Sequence, residues 1–162
     1  MIRFIPEDAA LLQALDSAET FRERYGADVS RHLEVARDVV KQTLDFEKQI
    51  HASPPWCGYL SVCDETSTVI GCGGFKGNPS VDRAVEIAYF TFPEFEGRGF
   101  ATATARGLVG IARAAGGLRG ILAHTLPQRN ASTRILEKVG FHHAAETVDP
   151  EVGPVWRWLL EL

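Results

Sequence analysis

The sequence predicts a mixed α/β domain: a central, mostly antiparallel sheet of about six to seven strands, parallel at one crossover, with about four helices. Three observations carry this. Short apolar runs with alternating character, bounded by Gly, Pro and polar clusters, recur along the chain. One stretch, Ala84 to Leu126, reads as strand, glycine turn, alanine-rich helix and strand, a crossover unit whose two strands should be parallel. The 162 residues, 45% hydrophobic and 23% charged, suit one domain of ordinary size over residues 1–162.

Taken in order, Ile2 to Ile5 reads as a short strand closed by Pro6. Ala9 to Tyr25 and Ser30 to Phe46 carry apolar residues at spacings of three and four, the helical period, and Gly26 divides them. His51-Ala52-Ser53-Pro54-Pro55 is a break. Trp56 to Asp64 and Thr68 to Phe75 alternate as two antiparallel strands joined near Glu65-Thr66-Ser67. The loop Lys76 to Asp82 leads into a third strand, Ala84 to Phe92. A helix from Gly99 to Ala115 then sets Ala101, Ala105, Leu108, Ala112 and Ala115 on one face, small enough to pack closely on a sheet. Gly116-Gly117 ends it, Gly120 to Leu126 is a buried strand, and Pro127 stops that strand. Asn130 is placed to cap a helix that Gly140 terminates, and His142 to Val148 and Val155 to Leu162 complete the sheet. No repeat or low-complexity tract interrupts the chain.

Composition narrows the function classes. A net charge of −4 with no basic stripe gives no electrostatic footprint for nucleic acid. Cys57, Cys63 and Cys72 form no CxxC pair, and three cysteines leave one thiol unpaired in any monomeric scheme, which favours a reducing compartment. Met1 to Ala10 is polar, unlike a signal peptide, and no apolar run is long enough to span a bilayer. The expectation is a cytoplasmic protein. His142-His143 lacks a third ligand at suitable spacing, so no metal is implied.

The chemistry concentrates in Phe92-Pro93-Glu94-Phe95-Glu96-Gly97-Arg98-Gly99-Phe100-Ala101-Thr102. Glycines let the main chain approach a ligand closely, and the first-turn N–H groups of the following helix have no partners within it. That combination suits an anion, a pyrophosphate in particular. Around it stand Gly71-Cys72-Gly73-Gly74-Phe75, Glu86-Ile87-Ala88-Tyr89 and Asn130-Ala131-Ser132-Thr133-Arg134-Ile135-Leu136-Glu137-Lys138-Val139-Gly140-Phe141, in that order along the chain.

Together these four motifs, over roughly residues 60 to 145, resemble the GNAT superfamily of acyl-CoA-dependent N-acetyltransferases, and most of all its branch that acetylates ribosomal-protein N-termini. The resemblance implies acetyl-CoA as cosubstrate and a primary amine, on a small molecule or a peptide N-terminus, as acceptor. It implies direct attack in a ternary complex by a monomer or homodimer, in a fold whose parallel strands splay to admit the cofactor. It also implies roles. The amides of Gly97, Arg98, Gly99, Phe100, Ala101 and Thr102 hold the diphosphate, Tyr89 and Thr91 offer main-chain groups to the pantetheine arm, and Asn130 touches it while capping its helix. The family's loop begins with Gln or Arg where this chain has Glu96, which Arg98 could offset, and Arg129 stands in the slot of the usual CoA-contacting asparagine.

Glu86 is the candidate general base, because an ammonium cannot attack a thioester until it loses a proton to a nearby carboxylate. A structural carboxylate is the plainer reading of the same residue. His124, near the end of the next strand, is the rival base. The family's thiolate-protonating tyrosine is here Leu136, and Ser132, one turn earlier, is either a replacement donor or only part of the helix start. Two further readings stand beside catalysis: a CoA-binding module that has lost activity, and a toxin-like acetyltransferase of aminoacyl-tRNA, which the acidic balance argues against.

Overall fold

A computed structural model describes residues 1–162. The first strand, β1 (Ile2–Pro6), is followed by three helices, α1 (Ala9–Ala14), α2 (Ala18–Tyr25) and α3 (Leu33–Ile50), the last entered through a 3-10 turn at Ser30–His32. The sequence reading of one helix over Ala9 to Tyr25 is corrected here. Asp8 accepts from Leu11 N at 2.7 Å and Ser17 accepts from Thr20 N at 3.1 Å, so two N-caps start two helices. Gly26 closes α2 at φ 62°, and α3 runs past Phe46 to Ile50, where His51 adopts a left-handed cap.

The strands that follow are β2 (Gly58–Cys63), β3 (Thr68–Phe75) and β4 (Ala84–Thr91). After α4 (Phe100–Ala115) come β5 (Gly120–Thr125), α5 (Ala131–Val139), β6 (His142–Asp149) and β7 (Gly153–Glu161). β2 starts two residues later than the alternation suggested, because Trp56 N is bonded to Ser53 O in the turn that follows the break. The seven strands form one sheet in the order β1-β2-β3-β4-β5-β7-β6. All neighbours are antiparallel except β4 and β5, joined by the α4 crossover. The last strand in the sequence lies inside the sheet and the penultimate one forms its edge.

The sheet has two differently dressed faces. On one, α4 and α5 pack against Val85, Ile87, Ile121, Ala123 and Trp158. Here the face of α4 that is buried comprises Thr104, Ala105, Leu108, Val109 and Ala112, while Ala115, expected on it, is exposed at the helix end. Gly107 serves the close packing: a Cβ there would lie 2.3 Å from the Phe4 ring. On the other face, α1 to α3 bury Leu11, Leu15, Phe21, Ala36 and Val40 against Leu60, Val62 and Val69. That second core takes no residue from β5 or β7. Side chains alternate along a strand, so Glu86, Ala88 and Phe90 of β4, and Leu122 and His124 of β5, look out from the same side as α1 to α3. Ala88 and Phe90 are exposed there. No helix is long and apolar enough to cross a membrane.

Candidate active site

The parallel pair is short. β4 and β5 are in register only from Ala84 with Gly120 to Glu86 with Leu122, while β5 remains paired to β7 along its whole length, Gly120 to Thr125. The sheet therefore forks immediately after Glu86. On the β3 side, Lys76 N donates to Glu86 O at 2.8 Å and Phe92 N donates to Ile70 O at 2.9 Å. In an antiparallel ladder the bonding direction alternates, so Tyr89 and Thr91 turn their main-chain groups toward β5, beyond the last residue at which it pairs with β4. These are free polar edges lining the fork.

Above the fork, on the α4 side, a cleft of about 430 Å³ is lined by Tyr89, Phe90, Thr91, Glu96, Gly97, Gly99, Phe100, Ala101, Thr102 and Ser132, joined by Arg134, Ile135 and Lys138. Gly97 at φ 72° and Gly99 at φ 84° both occupy the left-handed region that favours glycine. A Cβ at either would meet nothing within 4 Å. The demand for glycine is thus torsional, and the space beside these residues is open. Gly99 is the N-cap of α4 and offers no side chain, so no capping oxygen competes for the first-turn amides. The first intrahelical acceptor bond there is Ala103 N to Gly99 O, at 3.0 Å. The N–H groups before it remain for a ligand at the positive end of the helix. Burial raises the Tyr89 phenol to about 12, which keeps it a neutral hydrogen-bonding group.

Arg98, Arg129 and Asn130 do not line the cleft. The Arg98 guanidinium lies over Phe100 at 5.1 Å and Phe95 at 5.9 Å. Asn130 spends its side-chain oxygen on Thr133 N at 3.1 Å, and Thr133 Oγ1 accepts from Asn130 N at the same distance, a reciprocal cap of α5. Arg129 is paired with Glu137. Ser132 and Leu136 do not share a face, contrary to their spacing: Ser132 is exposed at the cleft and Leu136 is 1% exposed in the core. Ile135 is the α5 neighbour that accompanies Ser132 into the cleft. Sequence reasoning missed Arg134 and Lys138, two cations whose i, i+4 spacing was the available signal. His143 lies over Trp156 at 4.9 Å and Trp158 at 5.6 Å.

On the opposite face, at the base of the fork, the two rival bases are hydrogen-bonded to each other. Glu86 Oε1 lies 2.9 Å from His124 Nδ1 and 3.1 Å from Lys76 Nζ. His124 Nε2 lies 3.3 Å from Arg157 Nε, and the β5/β7 register sets these two residues side by side. An arginine only donates, so Nε2 accepts and the ring proton sits on Nδ1, pointing at Glu86. The imidazole thereby has no free lone pair. Glu86 Oε2 has neither hydrogen-bond nor ion-pair partner, on a side chain one quarter exposed. The hairpin after β6 approaches this cluster. Asp149 is held below its ordinary range by the N–H groups of Glu151 and Val152, with smaller contributions from Lys76 and His124.

None of the curated proteins matches this chain. Among solved structures it resembles an acetyltransferase from Salmonella typhimurium that modifies the N-terminal serine of ribosomal protein L7/L12. That likeness has 15% identity and a TM-score of 0.67, covering 99% of this chain and 95% of that one. A second L7/L12 N-acetyltransferase, solved in complex with coenzyme A, matches at 15% identity and a TM-score of 0.68 over 99% of this chain and 94% of that one. A spermidine N-acetyltransferase chimera from Vibrio cholerae gives 14%, 0.65, 99% and 94%. At such identities these likenesses concern the fold. The acetyltransferase (GNAT) domain family matches residues 1–142, most of the chain, and the protein belongs to that family.

Proposed function

We propose that the protein transfers an acetyl group from acetyl-CoA to a primary amine by direct attack in a ternary complex, with Glu86 as the general base. The observation that carries this reading is the fork: a cleft with uncapped helix amides on one face of the sheet, and an open carboxylate oxygen where the strands part. The diphosphate sits against the amides of Gly97 to Thr102, offset in charge by Arg134 and Lys138 from the neighbouring helix. Pantetheine runs along the free edge of Tyr89 and Thr91, so the thioester reaches the fork. Donors of that edge polarise its carbonyl and stabilise the oxyanion that develops on attack.

Proton transfer follows from the hydrogen-bond inventory. Glu86 Oε1 is occupied by His124 and Lys76, which leaves Oε2 to accept a proton from the attacking amine, directly or through a water. His124, its acceptor nitrogen taken by Arg157, orients the carboxylate. Ser132 lies at the cleft and can supply a proton to the departing thiolate, a good leaving group that solvent can also protonate.

A second reading, a CoA-binding module without catalysis, is favoured by Leu136: its burial means that the α5 position where relatives carry an acid contributes only to the core. Two measurements test and separate the readings. Acetyl-CoA should raise the melting temperature far more than ATP or NADH, because only native-state binding stabilises. A free-thiol assay over a panel of amines should show CoA release. A thermal shift without release from any amine supports the binding module, and equal shifts from ATP and acetyl-CoA reject both.

A further inference from the structure

Three arginines are half-buried, Arg3, Arg37 and Arg157. Two of them spend their guanidinium groups on the protein. Arg3 donates to the carbonyls of Tyr25 at 2.9 Å and Gly26 at 3.3 Å and pairs with Asp64. Arg37 makes three hydrogen bonds to the carbonyls of Leu15 and Asp16, at 2.7 to 3.0 Å. Arg157 differs. Its single hydrogen bond is the one from Nε to His124 Nε2, and neither terminal nitrogen meets a carboxylate or a carbonyl. A guanidinium presents its donors as a rigid planar fork shaped for an oxyanion, and the terminal nitrogens of Arg157 are open at the surface to receive one.

The position of this unfilled fork gives it meaning. Arg157 is the β7 neighbour of His124, and it shares the open sheet face with Glu86, one imidazole ring away. The other cation of the cluster, Lys76, is already paired with Glu86 Oε1. So the face offers an open anionic oxygen where the strands part, Glu86 Oε2, with the carboxylate of Asp149 farther out on the β6 hairpin, and one unpartnered cationic fork, Arg157.

We propose that Arg157 binds a carboxylate of the acceptor, and that the acceptor is accordingly a small amine of the amino-acid type, with its carboxylate on Arg157 and its amine at Glu86. This rests on the reading of Glu86 as base. The charges of the zwitterion then match those of the site by sign, which selects against simple amines and polyamines that leave Arg157 empty.

The test is an acceptor panel of free amino acids, their carboxamides, the corresponding decarboxylated amines and aminophosphonates, assayed on the parent, Arg157→Gln and Arg157→Lys. The quantity read is the ratio of kcat/KM for an acid to that for its amide. In the parent it should favour acids by about 10- to 100-fold, the range of a charge-assisted hydrogen-bonded pair. In Arg157→Gln, which retains an N–H donor for His124 while losing the charge, it should fall to near unity; Arg157→Lys should retain part of it. Calorimetric binding of the same compounds to CoA-loaded protein gives the ratio without turnover. Binding of acids through Arg157 with no turnover of any amine would keep the site and reject the transferase reading. Turnover without preference for acids, a preference that survives in Arg157→Gln, a stronger response to phosphonates, or no binding of any amino acid would each overturn the proposal.

Discussion

Glu7 lies just beyond β1, 4% exposed beneath α3. Its Oε2 is buried without a hydrogen-bond partner, and space is so tight that a Cβ on Gly58 would lie 2.7 Å from that oxygen. A second carboxylate, Glu47, stands close by, accepting from Gly58 N at 2.7 Å. Burial lifts the Glu7 carboxyl from its usual 4.5 to about 7, the charge of Glu47 adding to the effect and the Thr43 hydroxyl opposing it. Between these two values the folded chain holds a proton that the unfolded chain has released. Stability from this group is therefore fully present below about pH 4.5 and lost as pH rises through about 7. The loss amounts to roughly 3 kcal/mol, since one pKa unit corresponds to about 1.4 kcal/mol. Glu7→Gln removes the titration while keeping shape. Urea unfolding followed by tryptophan fluorescence, at intervals from pH 5 to pH 8, should show the variant gaining on the parent by roughly 2.5 kcal/mol across the range, the remainder having been lost below pH 5. In melting temperature this is roughly 5 to 10 °C for a chain of this size. The difference between the two proteins isolates Glu7 from all other titrating groups. Parallel stability curves would refute the reasoning and require a partner for Glu7 Oε2.

Gly99→Val puts a β-branched residue at φ 84°, so acetyl-CoA binding should collapse and stability should fall by about 1 to 2 kcal/mol; calorimetry showing affinity within a few-fold of the parent would make the loop a mere connection. Glu86→Gln should leave acetyl-CoA affinity intact while lowering turnover by about 10² to 10⁴, and the limb of the pH–rate profile belonging to this carboxylate should vanish. His124→Ala should cost turnover without adding fully to Glu86→Gln in the double variant, because the two act as one unit; multiplicative losses would separate them. Ser132→Ala should cost less than either. Asn130→Ala removes the reciprocal cap of α5 and should destabilise by about 1 kcal/mol; a loss of acetyl-CoA affinity beyond about 10-fold, more than a cap of this strength accounts for, would show that Asn130 touches the cofactor.

Local chemistry was legible in the sequence because its causes lie within a few residues. Alternation marked the strands, Asn130 and Gly140 bounded α5, and the two glycines marked a turn where the main chain can approach a ligand ahead of a helix's first amides. The parallel crossover followed from connection length alone. Even the division of α1 from α2 had its signal in Asp8 and Ser17, each a cap followed by a helical run, although apolar periodicity carried straight across them. What tertiary structure decided is everything that depends on neighbours distant in sequence. No local rule says that β7 inserts between β5 and β6, yet that insertion brings Arg157 beside His124 and fixes the tautomer that leaves Glu86 Oε2 open. Glu86 and His124, rivals along the chain, are partners across the fork because β4 and β5 are parallel and in register just that far. Spacing set Ser132 and Leu136 on one helix face, but packing turned one to the cleft and the other to the core, since an α-helix of this length offers two adjacent faces and only the sheet chooses which is buried. The burial of Glu7, and with it the pH dependence of the fold, arises where α3 crosses a glycine on β2, a contact that exists only once both elements are in place.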